Sequence, residues 1–277
     1  MTLHFTKMHG LGNDFMVIDA IRQNVCLSPH EIANLAKRGT GVGFDQCLLV
    51  EKSPDNEIDF FYRIFNADGQ EVGQCGNGAR CLARFVQRYG LSTKKEIQVT
   101  THTTKMRLCL NDDETVTVDM GCPQFEPVDI PLIAKQQAPL YSLTLSNNER
   151  CEVHAVNVGN PHAVMVALDL NTATIQHQGA QISKHPLFPE QTNVGFMQII
   201  KPDHIRLRVY ERGCGETSAC GSGAVAAVAI GRLYHALSAQ VRVSLPGGDL
   251  LVSWPTIEGP ILLTGPATFV YEGILML

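Results

Sequence analysis

One stretch of this chain occurs twice, and the duplication narrows the possible folds more than any other feature. Arg63-Ile64-Phe65-Asn66, leading to Cys75-Gly76-Asn77-Gly78-Ala79, recurs as Arg208-Val209-Tyr210-Glu211, leading to Cys220-Gly221-Ser222-Gly223-Ala224. Glu71 and Glu216 share the offset that separates the two cysteines. Gly12-Asn13-Asp14-Phe15 matches Gly159-Asn160-Pro161-His162 at an offset two residues longer, and Gln46 falls on Asn193 at that longer offset. Similar segments in the same order at nearly constant spacing predict two homologous, pseudo-symmetric domains.

Periodicity gives each half the same content. Runs of alternating or β-branched residues predict strands over 15–19, 58–66, 97–101, 105–110 and 115–120, with 111–114 as a hairpin turn. The second half offers strands over 152–158, 163–168, 194–200, 204–210 and 241–245. One apolar helix is expected after each Cys-Gly-x-Gly, from Gly76 and from Gly221. A shorter helix begins at Ser28-Pro29-His30-Glu31, where Ser caps, Pro takes the first position and Glu completes a capping box. Four prolines, 123, 127, 131 and 139, predict a linker over 121–150. The fold class is α+β, each domain a strand-rich sheet or barrel around a central helix.

The formal net charge of −5 provides no basic field for nucleic acid. No apolar run is long enough to span a bilayer, and the N-terminal residues lack a secretory pattern, so a cytoplasmic location and no membrane partner are expected. The nine cysteines follow neither a disulfide framework nor a zinc spacing. Cys26, Cys47, Cys109, Cys122 and Cys151 are expected to be inert buried thiols, and Cys81 and Cys214 structural.

Cys75 and Cys220 differ from these because each directly precedes a helix. A helix start presents unpaired N–H groups and a positive dipole end, and glycines admit a ligand close to the backbone. The pattern therefore makes a carboxylate cradle, with a cysteine whose thiolate the helix favours. A pseudo-twofold pairing of the domains would bring both thiols to one interdomain cleft, where one removes a proton beside a carboxylate and the other delivers one to the opposite face. No pyridoxal-lysine context, phosphate loop or metal motif is present, so neither cofactor nor metal is expected. The paired amides Asn13, Gln46 and Asn66, with Asn160, Asn193 and Glu211, are candidates to bind a zwitterion. Arg212 could grip a second carboxylate, and His162 stands at a strand entry. Two other readings stay open at this point: a cofactor-free racemase for another acid, such as proline or glutamate, and a redox-sensing thiol pair in a small-molecule binding protein.

The motifs as a set resemble the diaminopimelate epimerases. The resemblance rests on 7–15, 65–69, 75–81, 157–162, 192–194, 211–217, 219–223, 246–248 and 265–267, and so runs the length of the chain. It implies interconversion of LL- and meso-2,6-diaminopimelate, on the route to lysine and peptidoglycan. Cys220 would accept the proton in the LL-to-meso direction and Cys75 would donate one. The backbone at Gly76, Asn77, Gly221 and Ser222 would hold the reacting carboxylate. Asn66, Asn160, Asn193 and Arg212 would fix the far end, while His162 and Glu211 would tune the thiols. Ser222 stands where many members have Thr. The resemblance also implies a homodimer and a C-terminal strand that returns to the first domain, giving domains of 1–120 with 265–277, and 121–264.

Overall fold

The computed structural model describes residues 2–73, 75–146, 148–170 and 172–276. The chain divides into two compact units, Met1–Asp119 with Thr264–Leu277, and Met120–Leu263. The first holds β1 (Thr2–Gly10), β2 (Asn13–Asp19), α1 (Pro29–Ala36), β3 (Gln46–Lys52), β4 (Phe60–Asn66), β5 (Glu71–Val72), α2 (Gly76–Arg88), β6 (Glu96–Thr100), β7 (Lys105–Leu110) and β8 (Val116–Asp119). The second holds β9 (Tyr141–Thr144), β10 (Arg150–Asn157), β11 (Pro161–Val166), α3 (Thr172–Ser183), β12 (Asn193–Lys201), β13 (His204–Glu211), β14 (Gly215–Thr217), α4 (Gly221–Tyr234), β15 (Gln240–Leu245) and β16 (Gly248–Ser253). β17 (Leu262–Gly265) falls at the boundary, and β18 (Thr268–Met276) belongs to the first unit.

Strand pairing repeats with the same senses in both units. In the first, β18, β1 and β2 run antiparallel, β2 joins β3 in parallel, β3 joins β4 antiparallel, and β4 joins β6 in parallel. In the second, β9, β10 and β11 run antiparallel, β11 joins β12 in parallel, β12 joins β13 antiparallel, and β13 joins β15 in parallel. A parallel pair needs a crossover connection. α1 and α2 make the two crossovers of the first unit, α3 and α4 those of the second. The duplicated sequence has thus produced a duplicated topology. The same ion pair braces each copy: Arg63 grips Glu71 at 3.0 and 2.8 Å, and Arg208 grips Glu216 at 2.5 and 2.7 Å.

α4 is Ala-, Val- and Gly-rich and buried along most of its length, as a helix apolar on all sides must be. Val228 and Ile230 are fully buried, each contributing about 1.5–3 kcal/mol of transfer free energy. α1 starts as its sequence dictates, with Ser28 and Glu31 forming a reciprocal capping box. Two departures follow from tertiary packing. α3 has little apolar periodicity, so nothing marked it as a helix, yet Ile175 and Ile182 fill the core beside β12 and β13. The proline-rich stretch 121–150 is not a bare linker: Ile130, Leu132, Tyr141, Leu143 and Leu145 are buried in the second unit's core, and β9 pairs with β10.

Candidate active site

In the first unit Cys75 is the N-cap of α2, in extended backbone, and the Gly78 N–H donates to its Sγ at 3.3 Å. β2 opens beside it after a turn in which Gly12 takes φ +88°, a region that favours glycine. Asn13 Oδ1 lies 3.9 Å from the Cys75 sulfur and accepts from Asn77 Nδ2 at 3.2 Å. Asn13 is held in turn by its Nδ2 donating to Asp45 at 3.1 Å. Asp45 and Asp14 share Arg38, and Lys7 pairs with Asp14 at 2.7 Å. Burial opposes the charge on Asp14, but hydrogen bonds from Arg38 and Lys7 prevail and hold its carboxyl well below the usual range. Gln46 and Asn66, opposite each other on β3 and β4, meet at 2.9 Å; Gln46 Oε1 is buried and unpartnered among the described residues.

Sequence reasoning assigned no role to Arg80. Its side chain is fully buried one turn into α2, with no carboxylate within 4 Å among the described residues. Its donors go to Asn77 Oδ1 at 2.8 Å, Pro266 O at 3.2 Å and Gly76 O at 3.4 Å. Burial pulls its pKa down, while the ionisable thiols of Cys81 and Cys75 push it back up. No local signal singled it out, because α2 carries Arg80, Arg84 and Arg88 at four-residue spacing and the sequence does not say which of them is buried.

In the second unit Cys220 caps α4 in the same manner, with Gly223 N–H to Sγ at 3.4 Å. A Cβ on Gly223 would lie 2.8 Å from Val209 and 3.3 Å from the Cys220 sulfur, so glycine is required there. Gly159 repeats the positive φ of Gly12, at +96°. The strand register puts His162 opposite Asn193, where the first unit has Phe15 opposite Gln46. The His162 ring is fully buried. Its Nε2 lies 3.0 Å from Asn160 Oδ1, 3.1 Å from Ser222 Oγ and 3.3 Å from Asn193 Nδ2, while Nδ1 is buried and unpartnered among the described residues. Burial, helped by the positive charge of Arg212, pushes its pKa down to about 3, so the ring is neutral.

Ser222 Oγ is also 3.5 Å from the Cys220 sulfur. Glu211, at the end of β13, accepts from Thr217 at 2.5 Å and from the Cys220 thiol; burial raises its pKa against both bonds. Arg212 donates its backbone N–H to Asn193 Oδ1 at 2.9 Å, and its exposed guanidinium bonds to the Glu190 carbonyl at 3.1 Å.

Two expectations need correction. The helix start was to favour the thiolate of Cys220, yet burial and the adjacent Glu211 carboxylate raise its pKa well above the ordinary thiol value, outweighing the Ser222 and Gly223 donors. Cys26 and Cys122 are exposed rather than buried, because both lie in connecting chain outside the strands. Cys47 and Cys81 are buried, and burial drives both thiols far up. Cys151 is buried as expected and Cys214 is exposed, but Cys109 is only half-buried, because it shares the outward face of β7 with Lys105 and Arg107. Among the described residues no group of three or more His, Cys, Asp or Glu side chains could hold a metal ion, and no helix is long and apolar enough to cross a membrane.

A family model for diaminopimelate epimerase matches residues 5–126 and 154–270. The chain belongs to the diaminopimelate epimerase family. It is 59% identical to the diaminopimelate epimerases of Legionella pneumophila strains Philadelphia 1 and Corby, over the whole of both chains in each case. Among solved structures it resembles a hydroxyproline epimerase from Agrobacterium vitis, with a TM-score of 0.70, 13% identity, and coverage of 99% of this chain and 92% of that one. It also resembles a phenazine biosynthesis protein of the PhzF family from Bacillus anthracis, with a TM-score of 0.68, 16% identity and full coverage of both. At such identities these two show a shared two-domain fold and nothing finer.

Proposed function

We propose that this chain interconverts LL- and meso-2,6-diaminopimelate without a cofactor, the thiols of Cys75 and Cys220 acting on opposite faces of one α-carbon. The observation that carries the reading is the duplicated cysteine-capped helix start, present in a chain 59% identical to diaminopimelate epimerases from end to end. In the LL-to-meso direction the Cys220 thiolate takes the α-proton and the Cys75 thiol supplies another. The negative charge left on the substrate between the two events falls to the N–H groups at Gly76, Asn77, Gly221 and Ser222. A base with a high pKa suits an α-carbon, which is a weak acid, and that fits the raised pKa of Cys220. His162 and Glu211 tune the thiols.

Asn13, Gln46, Asn66, Asn160, Asn193 and Arg212 bind the substrate's amino and distal carboxylate groups. Gln46 Oε1 and His162 Nδ1, buried without protein partners among the described residues, are the kind of polar atoms that a zwitterion completes. We assign the chain a cytoplasmic location and a homodimeric state. Val270, Tyr271, Ile274 and Met276 leave β18 with an exposed apolar surface suited to a second copy.

The test is LL-diaminopimelate in deuterium oxide with no added cofactor. Deuterium appearing at the α-carbon together with meso product supports the reading; proline or glutamate turning over in its place overturns it.

A further inference from the structure

The proposed function leaves open how His162 reaches a thiol, since the ring is neutral and bonds directly to none. We infer that the Ser222 hydroxyl is the positioning group that links His162 to Cys220, turning its hydrogen between the imidazole and the sulfur as the thiol ionises. The inference rests on the proposed function and extends it to a side chain so far valued only for its backbone N–H.

Ser222 Oγ stands 3.5 Å from Cys220 Sγ and 3.1 Å from His162 Nε2, and so bridges two groups with no bond of their own. The imidazole tautomer follows from its neighbours. Arg212 N–H donates to Asn193 Oδ1 at 2.9 Å, which fixes that amide and turns its NH2 toward His162 Nε2 at 3.3 Å. Nε2 is therefore the accepting nitrogen, and the ring proton sits on Nδ1. Nε2 has a single lone pair, which the Ser222 O–H takes while Cys220 is a thiol and the Asn193 NH2 takes once that hydroxyl has turned to the sulfur. Asn160, 3.0 Å from the same nitrogen, is placed with its amide flipped so that its oxygen does not face that lone pair.

With Cys220 as thiol, S–H donates to the Glu211 carboxylate and the Ser222 O–H donates to Nε2. When the thiol gives its proton to the substrate's α-carbon, in the meso-to-LL direction, the carboxylate becomes a repulsive neighbour, and the Ser222 O–H rotates to donate to the sulfur beside the Gly223 N–H. The serine proton never leaves its oxygen, so no proton is transferred and none needs replacing. His162 gives that hydrogen a resting place and keeps the hydroxyl within reach of the thiolate. The groups facing Cys220 are Glu211 from β13, His162 from β11 through Ser222, and Arg212 acting on His162 from the end of β13.

The experiment follows alkylation of Cys220 by iodoacetamide against pH in the full chain, read by mass spectrometry of its peptide, alongside kcat/KM for LL-diaminopimelate. Ser222→Ala should raise the midpoint of Cys220 alkylation by about one unit, the scale of one hydrogen bond to a charged group, and lower kcat/KM about tenfold at neutral pH. Ser222→Thr, which keeps a hydroxyl, should restore both to within about twofold. His162→Gln should raise the midpoint when Ser222 is present and leave it unmoved in the Ser222→Ala background. An unchanged midpoint in Ser222→Ala, or an equal His162→Gln effect in both backgrounds, overturns the inference. Should Ser222→Ala fail to fold, His162→Gln against Ser222→Thr reads the same link, and a wild-type midpoint in His162→Gln overturns it. Wild-type protein inactive on LL-diaminopimelate, with the alkylation shifts intact, defeats the proposed function and leaves the bridge standing.

Discussion

Cys75 and Cys220 cap helices of the same geometry, yet what surrounds each sulfur differs in charge. Beside Cys75 the first unit buries a cation, Arg80, with no carboxylate near it among the described residues. At the matching place the second unit has Val225, and it sets the Glu211 carboxylate against Cys220 instead. The second helical residue mediates in both: Asn77 joins Arg80 to Asn13 and so to Cys75, whereas Ser222 joins His162 to Cys220. The duplicated halves share the helix tip but differ in its neighbours, one positive and the other negative. In the proposed reaction one sulfur holds a proton that the other lacks, and these unequal neighbours bias which proton state each sulfur favours.

Removing either thiol should break the comparison outright. Cys75→Ala and Cys220→Ala are each expected to lose about 10²–10⁴-fold in net inversion, measured by conversion of LL to meso substrate. A variant retaining its full rate would show that its half is only structural.

Arg80→Met tests the positive half. Removing the buried guanidinium relieves its desolvation but leaves the Asn77, Gly76 and Pro266 oxygens without their donor, so the melting temperature should change little. Activity should fall about ten- to a hundredfold as the thiolate form of Cys75 loses its counter-charge. A large drop in melting temperature with kcat/KM retained would make Arg80 a packing residue.

Glu211→Gln tests the negative half. Removing that charge should bring the pKa of Cys220 down toward the ordinary thiol value and speed its alkylation at neutral pH about tenfold. No acceleration would mean that burial alone sets this thiol.

The last effect is on stability rather than on rate. His162 has its folded pKa depressed to about 3, so the unfolded chain binds the extra proton below about pH 6.5. Its contribution is fully present above that pH and is lost toward pH 3, at up to about 1.4 kcal/mol per pH unit. Urea denaturation across this range should show the slope, and His162→Gln should flatten it; an equal slope in both proteins would place the effect elsewhere.

Legibility in the sequence followed the range of the interactions. The helix starts after Cys75 and Cys220, the capping box at Ser28 and the Lys105–Leu110 strand were readable because caps, glycines and short periodicities are local. β9 and α3 were not, for their stability comes from a core assembled by distant chain. The place of Arg80 was equally hidden, since no local rule says whether a helical arginine faces water or an interior.

What the sequence determined by itself was the duplication, the two cysteine-capped helix starts, and the glycines that let backbone come close to them. What only the tertiary structure decided was how unlike the two sulfurs are. Arg80 in the core, Glu211 against Cys220, and Ser222 between Cys220 and His162 depend on contacts between β11, β12, β13 and α4, or between α2 and the return of chain at Pro266. The physical reason is that a charge acquires its strength from burial and from neighbours far away along the chain, and neither is written in its own segment.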